Sequence, residues 1–186
     1  MSAMVSIFGF AGSLRKGSFN KALLAAAKEL LPSDTRLEVF DLEGIPPFNQ
    51  DLENSPPDRV REFKEKIRHA DAILIASPEY NYSVSGVLKN AIDWASRPWG
   101  DNAFDGKPVA VMSASVGMLG GSRAQYHLRQ IFVYLNMYPI NKPEVMVPFA
   151  ADKISQDGIV TDKATKGFIK DLLEALVAWS KKMKGA

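Results

Sequence analysis

Cysteine is absent from the chain. That absence removes disulfides, thiolate nucleophiles, CxxC redox pairs and cysteine-ligated zinc or iron–sulfur centres, so any electron chemistry must come from a bound cofactor. Excess charge of either sign is also missing: 23 Lys and Arg oppose 21 Asp and Glu, a formal net charge of +2. Duplex nucleic acid needs a broad basic face, so nucleic acid is not an expected partner. No apolar run approaches the ~20 residues of a membrane-spanning helix, and the first residues lack a basic segment followed by a long apolar stretch and a cleavage site. A soluble, cytoplasmic protein with no membrane partner is the expectation. The two histidines, His69 and His127, do not fall within a set of histidine and acidic residues spaced to hold a metal, so no metal site is expected. Neither a GxGxxG fingerprint nor the GxxxxGK[ST] spacing occurs, which disfavours dinucleotide and triphosphate sites of those types.

What is present is alternation. At 186 residues and 46% hydrophobic, the chain suits one domain over 1–186. Strand-like MVSIFGF (4–10) precedes a helical pattern from Ser18 to Leu31, and RLEVF (36–40) precedes DRVREFKEKIRHA (58–70). AILIA (72–76) then leads to GVLKNAIDWAS (86–96), PVAVMSA (108–114) to RAQYHLRQIFVYL (123–135), and EVMVP (144–148) to a closing helix from about Thr161 or Asp162. The runs at 4–10, 72–76 and 108–114 are almost continuously apolar, as central parallel strands covered on both faces must be. RLEVF alternates and suits an edge. The pattern predicts an α/β fold: a doubly wound, five-stranded parallel sheet of flavodoxin-like order 2-1-3-4-5 with helices on both faces. Ligands of such sheets lie beyond the carboxyl ends of the strands, here the loops after strands 1, 3 and 4.

The first of these loops is GSLRKGSFN, Gly12 to Asn20. It leaves a strand and opens a helix, whose first N–H groups have no partner within the helix and favour an anion. Ser13 and Ser18 offer hydroxyls, Asn20 an amide, Arg15 a bidentate fork, and Gly12 and Gly17 allow close approach of the backbone. Read alone, the loop is equally a cap on the helix with solvated Arg15 and Lys16. The second loop, SPEYNYSVSG from Ser77, combines two tyrosines, a proline and an asparagine, a mixture suited to an aromatic heterocycle with a polar edge. The third, SASVGMLGGSRAQYHLRQ from Ser113, adds hydroxyls at Ser113 and Ser115 and close backbone at Gly117, Gly120 and Gly121. Together they point to a mononucleotide-like ligand with a bulky head.

GSLRKGSFN, PEYNYSVSGVLKNAIDW and GMLGGSRAQYHLRQ together resemble the NADPH-dependent FMN reductase family, and within it the quinone and chromate reductases. The resemblance implies noncovalent FMN, NAD(P)H as co-substrate, and ping-pong two-electron transfer to quinones, with chromate, azo and nitro compounds as further acceptors. It places Ser13, Arg15, Ser18, Phe19 and Asn20 at the FMN phosphate. It places Pro78, Glu79, Tyr80, Asn81 and Tyr82 around the isoalloxazine, with Ser115 and Gly117 reaching it from the third loop. No side chain is assigned to catalysis, because the hydride travels through flavin N5. Glu79 lies in a turn, which favours a backbone role over proton donation. One departure is visible: Ser85 stands where the family often has proline, as in SVPG.

The resemblance also implies a homodimer or homotetramer, and the helix from Arg123 carries more aromatic and arginine residues than one core-facing stripe absorbs. Arg123, Tyr126 and Glu144 are expected at or near a subunit contact. Trp94 and Trp179 read as packing residues; Trp99, in RPWGDNAF, is a loop residue for which two readings stay open, a plain loop position and a cover over the flavin pocket of its own or a neighbouring subunit. Two other readings compete: a flavodoxin-like electron carrier without its own turnover, and a non-redox binder of nucleotide phosphates. Carriers generally present a strongly acidic face, which this chain lacks.

Overall fold

The central strands owe their places to the period of two. In the computed structural model, which describes residues 4–185, β1 (Val5–Ala11), β3 (Ala72–Ala76) and β6 (Pro108–Ala114) are buried almost throughout. In β3, Ala72, Leu74 and Ala76 face one apolar layer and Ile73 and Ile75 the other. β2 (Thr35–Phe40) buries only Leu37 and Phe40 and lies at the edge. All pair in parallel, in the order β2-β1-β3-β6, as the sequence pattern predicts.

The fifth position is split. β7 (Tyr138–Pro139) lies beside Pro108–Val109, and β8 (Val145–Val147) lies beside Met112–Ala114. Pro139 and Pro143 have no N–H to give a ladder, so the strand breaks between them and resumes. The predicted strand at 144–148 is the second half of this broken one.

Helices α1 (Phe19–Glu29) and α6 (Lys163–Lys184) cover one face of the sheet. α2 (Asp58–His69), α3 (Gly86–Ala95) and α4 (Ser122–Tyr134) cover the other. There Phe8, Phe10, Phe40 and Phe63 stack at centroid separations of 5.1–5.8 Å, offset-tilted or edge-on as ring quadrupoles prefer. Trp94 is buried in α3, and Trp179 of α6 packs on the core while donating to the Tyr138 carbonyl, so both are packing residues. No described helix is long and apolar enough to cross a membrane.

A buried lysine fixes the loop that carries Trp99. Lys64 of α2, 4% exposed, donates to Asp101 Oδ2 at 2.8 Å and to the Arg97 carbonyl, while Arg68 grips the other Asp101 oxygen. Burial alone raises the Asp101 carboxyl, but hydrogen bonds and charge from Lys64 and Arg68 outweigh it and hold the group below its ordinary value. A carboxylate depressed on folding stabilises above its unfolded pKa, and loses that contribution as pH falls through the folded one. Asp101→Asn is therefore expected to lower stability at pH 7, by no more than ~1 kcal/mol because Asp101 is half exposed. Thermal melts followed from pH 7 downward check this: the gap to the wild type should begin to narrow near pH ~4 and close once the pH is below the depressed folded value, where the wild type's protonated Asp101 has lost the contribution that the asparagine variant lacks throughout.

Candidate active site

Three loops meet at the carboxyl ends of β1, β3 and β6, and the contacts that bring them together can be named. Gly12, directly after β1, lies so close to the second loop that a Cβ on it would sit 2.9 Å from Ser85 Oγ and Leu88 Cβ and 3.1 Å from Pro78 Cδ. Asn20 of α1 reaches the third: its Nδ2 donates to the Ala114 carbonyl, and its Oδ1 accepts from the Ala114 N–H, both at 3.0 Å. The second and third loops meet at Gly121, where a Cβ would lie 2.7 Å from Ser113 Cβ and 3.6 Å from the Ser77 carbonyl oxygen.

At the start of α1, Ser18 is the cap: its backbone is extended and its Oγ accepts from Lys21 N–H. Ser13 Oγ accepts from Arg15 N–H at 3.3 Å. Each hydroxyl keeps its own proton to donate. The Ala22 N–H goes to the Ser18 carbonyl, which leaves the Phe19 and Asn20 N–H groups without an acceptor among the described residues. A cleft of about 770 Å³ lies between α1 and the segment Ala151–Gly158; its wall includes Arg15, Ser18 and Phe19 but neither Ser13 nor Asn20. Arg15 folds back on its own loop, donating to the Gly17 carbonyl, with its guanidinium carbon 5.6 Å from the Phe19 ring centroid.

Asn20 differs from the sequence expectation. Both ends of its side-chain amide are used on Ala114, in a buried position, so it braces the first loop against the third. What it offers an anion is its backbone N–H.

The second loop forms a hairpin. β4 (Glu79–Tyr80) and β5 (Ser83–Val84) pair antiparallel around Asn81 and Tyr82, whose φ values of 49° and 66° place both in the left-handed region. That is the backbone of a type I′ turn, built here without glycine. Tyr80, Asn81 and Tyr82 are exposed at its tip. The hairpin is held against α4 at three points. Glu79 Oε2 accepts from the backbone N–H of Arg123 and Ala124, and its Oε1 from Arg123 Nη1 at 3.0 Å. The Arg123 guanidinium carbon lies 3.7 Å from the Tyr82 ring centroid, and Ser83 Oγ lies 2.8 Å from His127 Nδ1.

Glu79 is in effect the cap of α4. The helix starts from Gly121, at φ 90°, which has no side chain to accept from the first N–H groups, and the carboxylate from the neighbouring loop takes that place. Proton donation is not what this placement serves.

In the third loop, Ser115 Oγ donates to the Gly117 carbonyl at 3.3 Å. Phe149 N–H reaches the same carbonyl and Ala150 N–H reaches the Ser115 carbonyl, tying the loop to the start of α5 (Ala150–Lys153). Between them Val116, Met118 and Leu119 are exposed. The expected site residues thus fall into two groups: Ser13, Arg15, Ser18 and Phe19 around the start of α1, and Pro78 to Tyr82 on the hairpin side of Gly12. Ser115 and Gly117 stand on the third loop. Glu79's partner Arg123 and the tie of Ser85 to Gly12 were not foreseen as site contacts, since long-range pairs leave no local pattern.

A second cleft, about 740 Å³, runs between α3 and α4, lined among others by Ile92, His127, Ile131 and Tyr134. Trp99 stands near its end, 71% exposed, edge-on to Tyr134 at 6.5 Å and 4.5 Å from the Arg97 guanidinium carbon. Among the described residues no group of His, Asp and Glu is arranged to hold a metal ion.

A family model described as NADPH-dependent FMN reductase matches residues 5–152. An NAD(P)H-dependent FMN reductase of Pseudomonas aeruginosa is 47% identical over 187 residues, covering 100% of both chains. A 2-hydroxy-1,4-benzoquinone reductase of a Burkholderia species is 42% identical over 168 residues, covering 90% of this chain and 92% of the relative. Among solved structures, FerB of Paracoccus denitrificans, a flavoenzyme NAD(P)H:(acceptor) oxidoreductase, aligns with a TM-score of 0.88 at 35% identity, covering 96% of this chain and 98% of that one.

Proposed function

From the premise that this chain belongs to the NADPH-dependent FMN reductase family, we propose that it is a cytoplasmic FMN-dependent NAD(P)H:quinone reductase. The observation that carries the site is the pair of acceptor-free N–H groups at Phe19 and Asn20, beside the hydroxyls of Ser13 and Ser18. A helix start with donors to spare fits a phosphate monoester. Bound FMN supplies two-electron redox chemistry that no side chain of a cysteine-free protein provides.

The chain's own residues bind and orient. Ser13, Ser18 and the first N–H groups of α1 hold the phosphate, and Arg15, whose guanidinium lies within the same loop, adds positive charge beside it. The N–H groups of the Glu79–Tyr82 turn and of the third loop from Val116 to Gly117 supply fixed dipoles toward a ring carrying added negative charge, the Ser115 N–H being held by the Val147 carbonyl. Pro78, Tyr80, Asn81 and Tyr82 border that ring, and the exposed Tyr80, Tyr82, Val116, Met118 and Leu119 make an apolar rim beside it. Such a rim suits planar quinones; chromate, azo and nitro compounds belong to the proposal as side acceptors. Nicotinamide and acceptor use the rim in turn, which gives ping-pong kinetics.

The experiment is a multiple-turnover assay on the purified protein, with mass spectrometry of what it releases on denaturation. FMN should be released, and NAD(P)H should be consumed continuously with benzoquinone, with parallel double-reciprocal plots. A protein that takes up no FMN, or one that is reduced once and does not turn over with a quinone, contradicts the proposal.

Assembly is part of it. Tyr126, Val133, Tyr134 and Trp99 are each more than half exposed around the α3–α4 cleft, more apolar surface than a monomer ordinarily leaves in water. We propose a homodimer or homotetramer built on this face, with Arg123, Tyr126 and Glu144 at or near subunit contacts and Trp99 available to cover a flavin. Light scattering at micromolar concentration should give at least twice the 20.5 kDa of one chain; a monomer removes the claim.

A further inference from the structure

Ser85 is 2% exposed and its hydroxyl makes two bonds. It accepts from the Leu88 N–H at 3.2 Å, capping α3, and donates to the Gly12 carbonyl at 2.6 Å, across 73 residues of sequence. Gly12 opens the loop that runs to the start of α1, and its own N–H is held by the Ala76 carbonyl at 2.9 Å. Gly12 is therefore held at its N–H by β3 and at its carbonyl by the cap of α3. Ser85 has φ −66° and ψ 149° and follows an extended residue, a backbone that proline adopts without strain. A proline would fit here and stiffen the turn, but it has no hydroxyl to reach Gly12. In this chain the stiffness given up at the turn is replaced by a hydrogen bond to another loop.

We propose that Ser85 is a positioning residue for the phosphate-binding loop, setting the height of Gly12 and Ser13 against the start of α1. The inference rests on the phosphate site proposed above. Because the bond is to the loop under the phosphate, its loss should be felt by a phosphorylated flavin and much less by one without phosphate.

The test compares FMN with riboflavin as ligands of the apo-protein, by quenching of flavin fluorescence. In Ser85→Ala, FMN affinity should fall about tenfold, the loss expected for one buried hydrogen bond, while riboflavin affinity stays within about twofold. Should Ser85→Ala fail to fold, Ser85→Gly, which a helix cap tolerates and which also lacks the hydroxyl, is measured in its place with the same expectation. Equal losses for both ligands would mean that Ser85 only caps α3, and unchanged FMN affinity would mean that the tie to Gly12 is idle; either overturns the inference. A wild-type protein that binds no FMN would instead overturn the function on which it rests.

Discussion

Gly12→Ala protein is expected to fold, and to hold FMN between about tenfold and a hundredfold more weakly than the wild type. The added carbon has no room: it meets Leu88 Cβ and Ser85 Oγ at 2.9 Å and Pro78 Cδ at 3.1 Å. Ordinary carbon contacts need roughly 3.5 Å or more. Leu88 and Ser85 belong to the first turn and cap of α3, and Pro78 to the exit from β3, so none of the three yields easily. Gly12 is held at its N–H and at its carbonyl, but the residues after it, Ser13 to Gly17, bond within their own loop, and they are the part that gives. Overpacking of this kind costs ~1–3 kcal/mol, and the displacement falls on the hydroxyls and N–H groups that hold the phosphate. Fluorescence titration with FMN checks the affinity, and far-ultraviolet circular dichroism checks the fold. FMN bound as tightly as by the wild type would show that the first loop does not depend on its contact with the second.

The second large effect is expected at Glu79. Its alanine variant should lose about 2–3 kcal/mol of stability in urea unfolding, since it removes the cap of α4 and leaves Arg123 without its carboxylate. The hairpin bearing Tyr80 and Tyr82 would lose one of its three attachments to α4. Glu79→Gln separates this role from proton transfer. A glutamine keeps an acceptor for the Arg123 and Ala124 N–H groups, so the variant should keep most of its quinone turnover at pH 7. If Glu79 instead delivered a proton to the acceptor, Gln would abolish turnover by orders of magnitude and leave stability nearly untouched.

The sequence made the frame of the molecule legible because its signals are local. AILIA and PVAVMSA could only be covered strands, and each lies at its expected residues between two apolar layers. The helix expected from Ser18 is capped by that residue, the one expected from 86 starts at Gly86, and the one expected from about Thr161 or Asp162 is capped by Asp162. Less local features escaped. The fifth strand is cut by prolines whose effect depends on the neighbour strand, so its first half was unread. The type I′ hairpin has Asn-Tyr where glycine would advertise it.

At the site, the motifs brought the right loops together but did not fix what each side chain does. Asn20 appears in the first motif as a donor to a ligand, and in three dimensions its amide faces Ala114. Glu79 appears as a turn residue, and in three dimensions it caps a helix that begins 43 positions later in the chain. A residue's type limits which hydrogen bonds it can make, and only the packing of distant loops selects among them.

Everything proposed here turns on where the phosphate of FMN binds. A crystal structure of the FMN-loaded protein is the most direct measurement. It should place the phosphate within hydrogen-bond distance of Ser13, Ser18 and the Phe19 and Asn20 N–H groups, with the ring bordered by Pro78 to Tyr82. A phosphate found elsewhere, with those N–H groups still unpaired, would contradict the account.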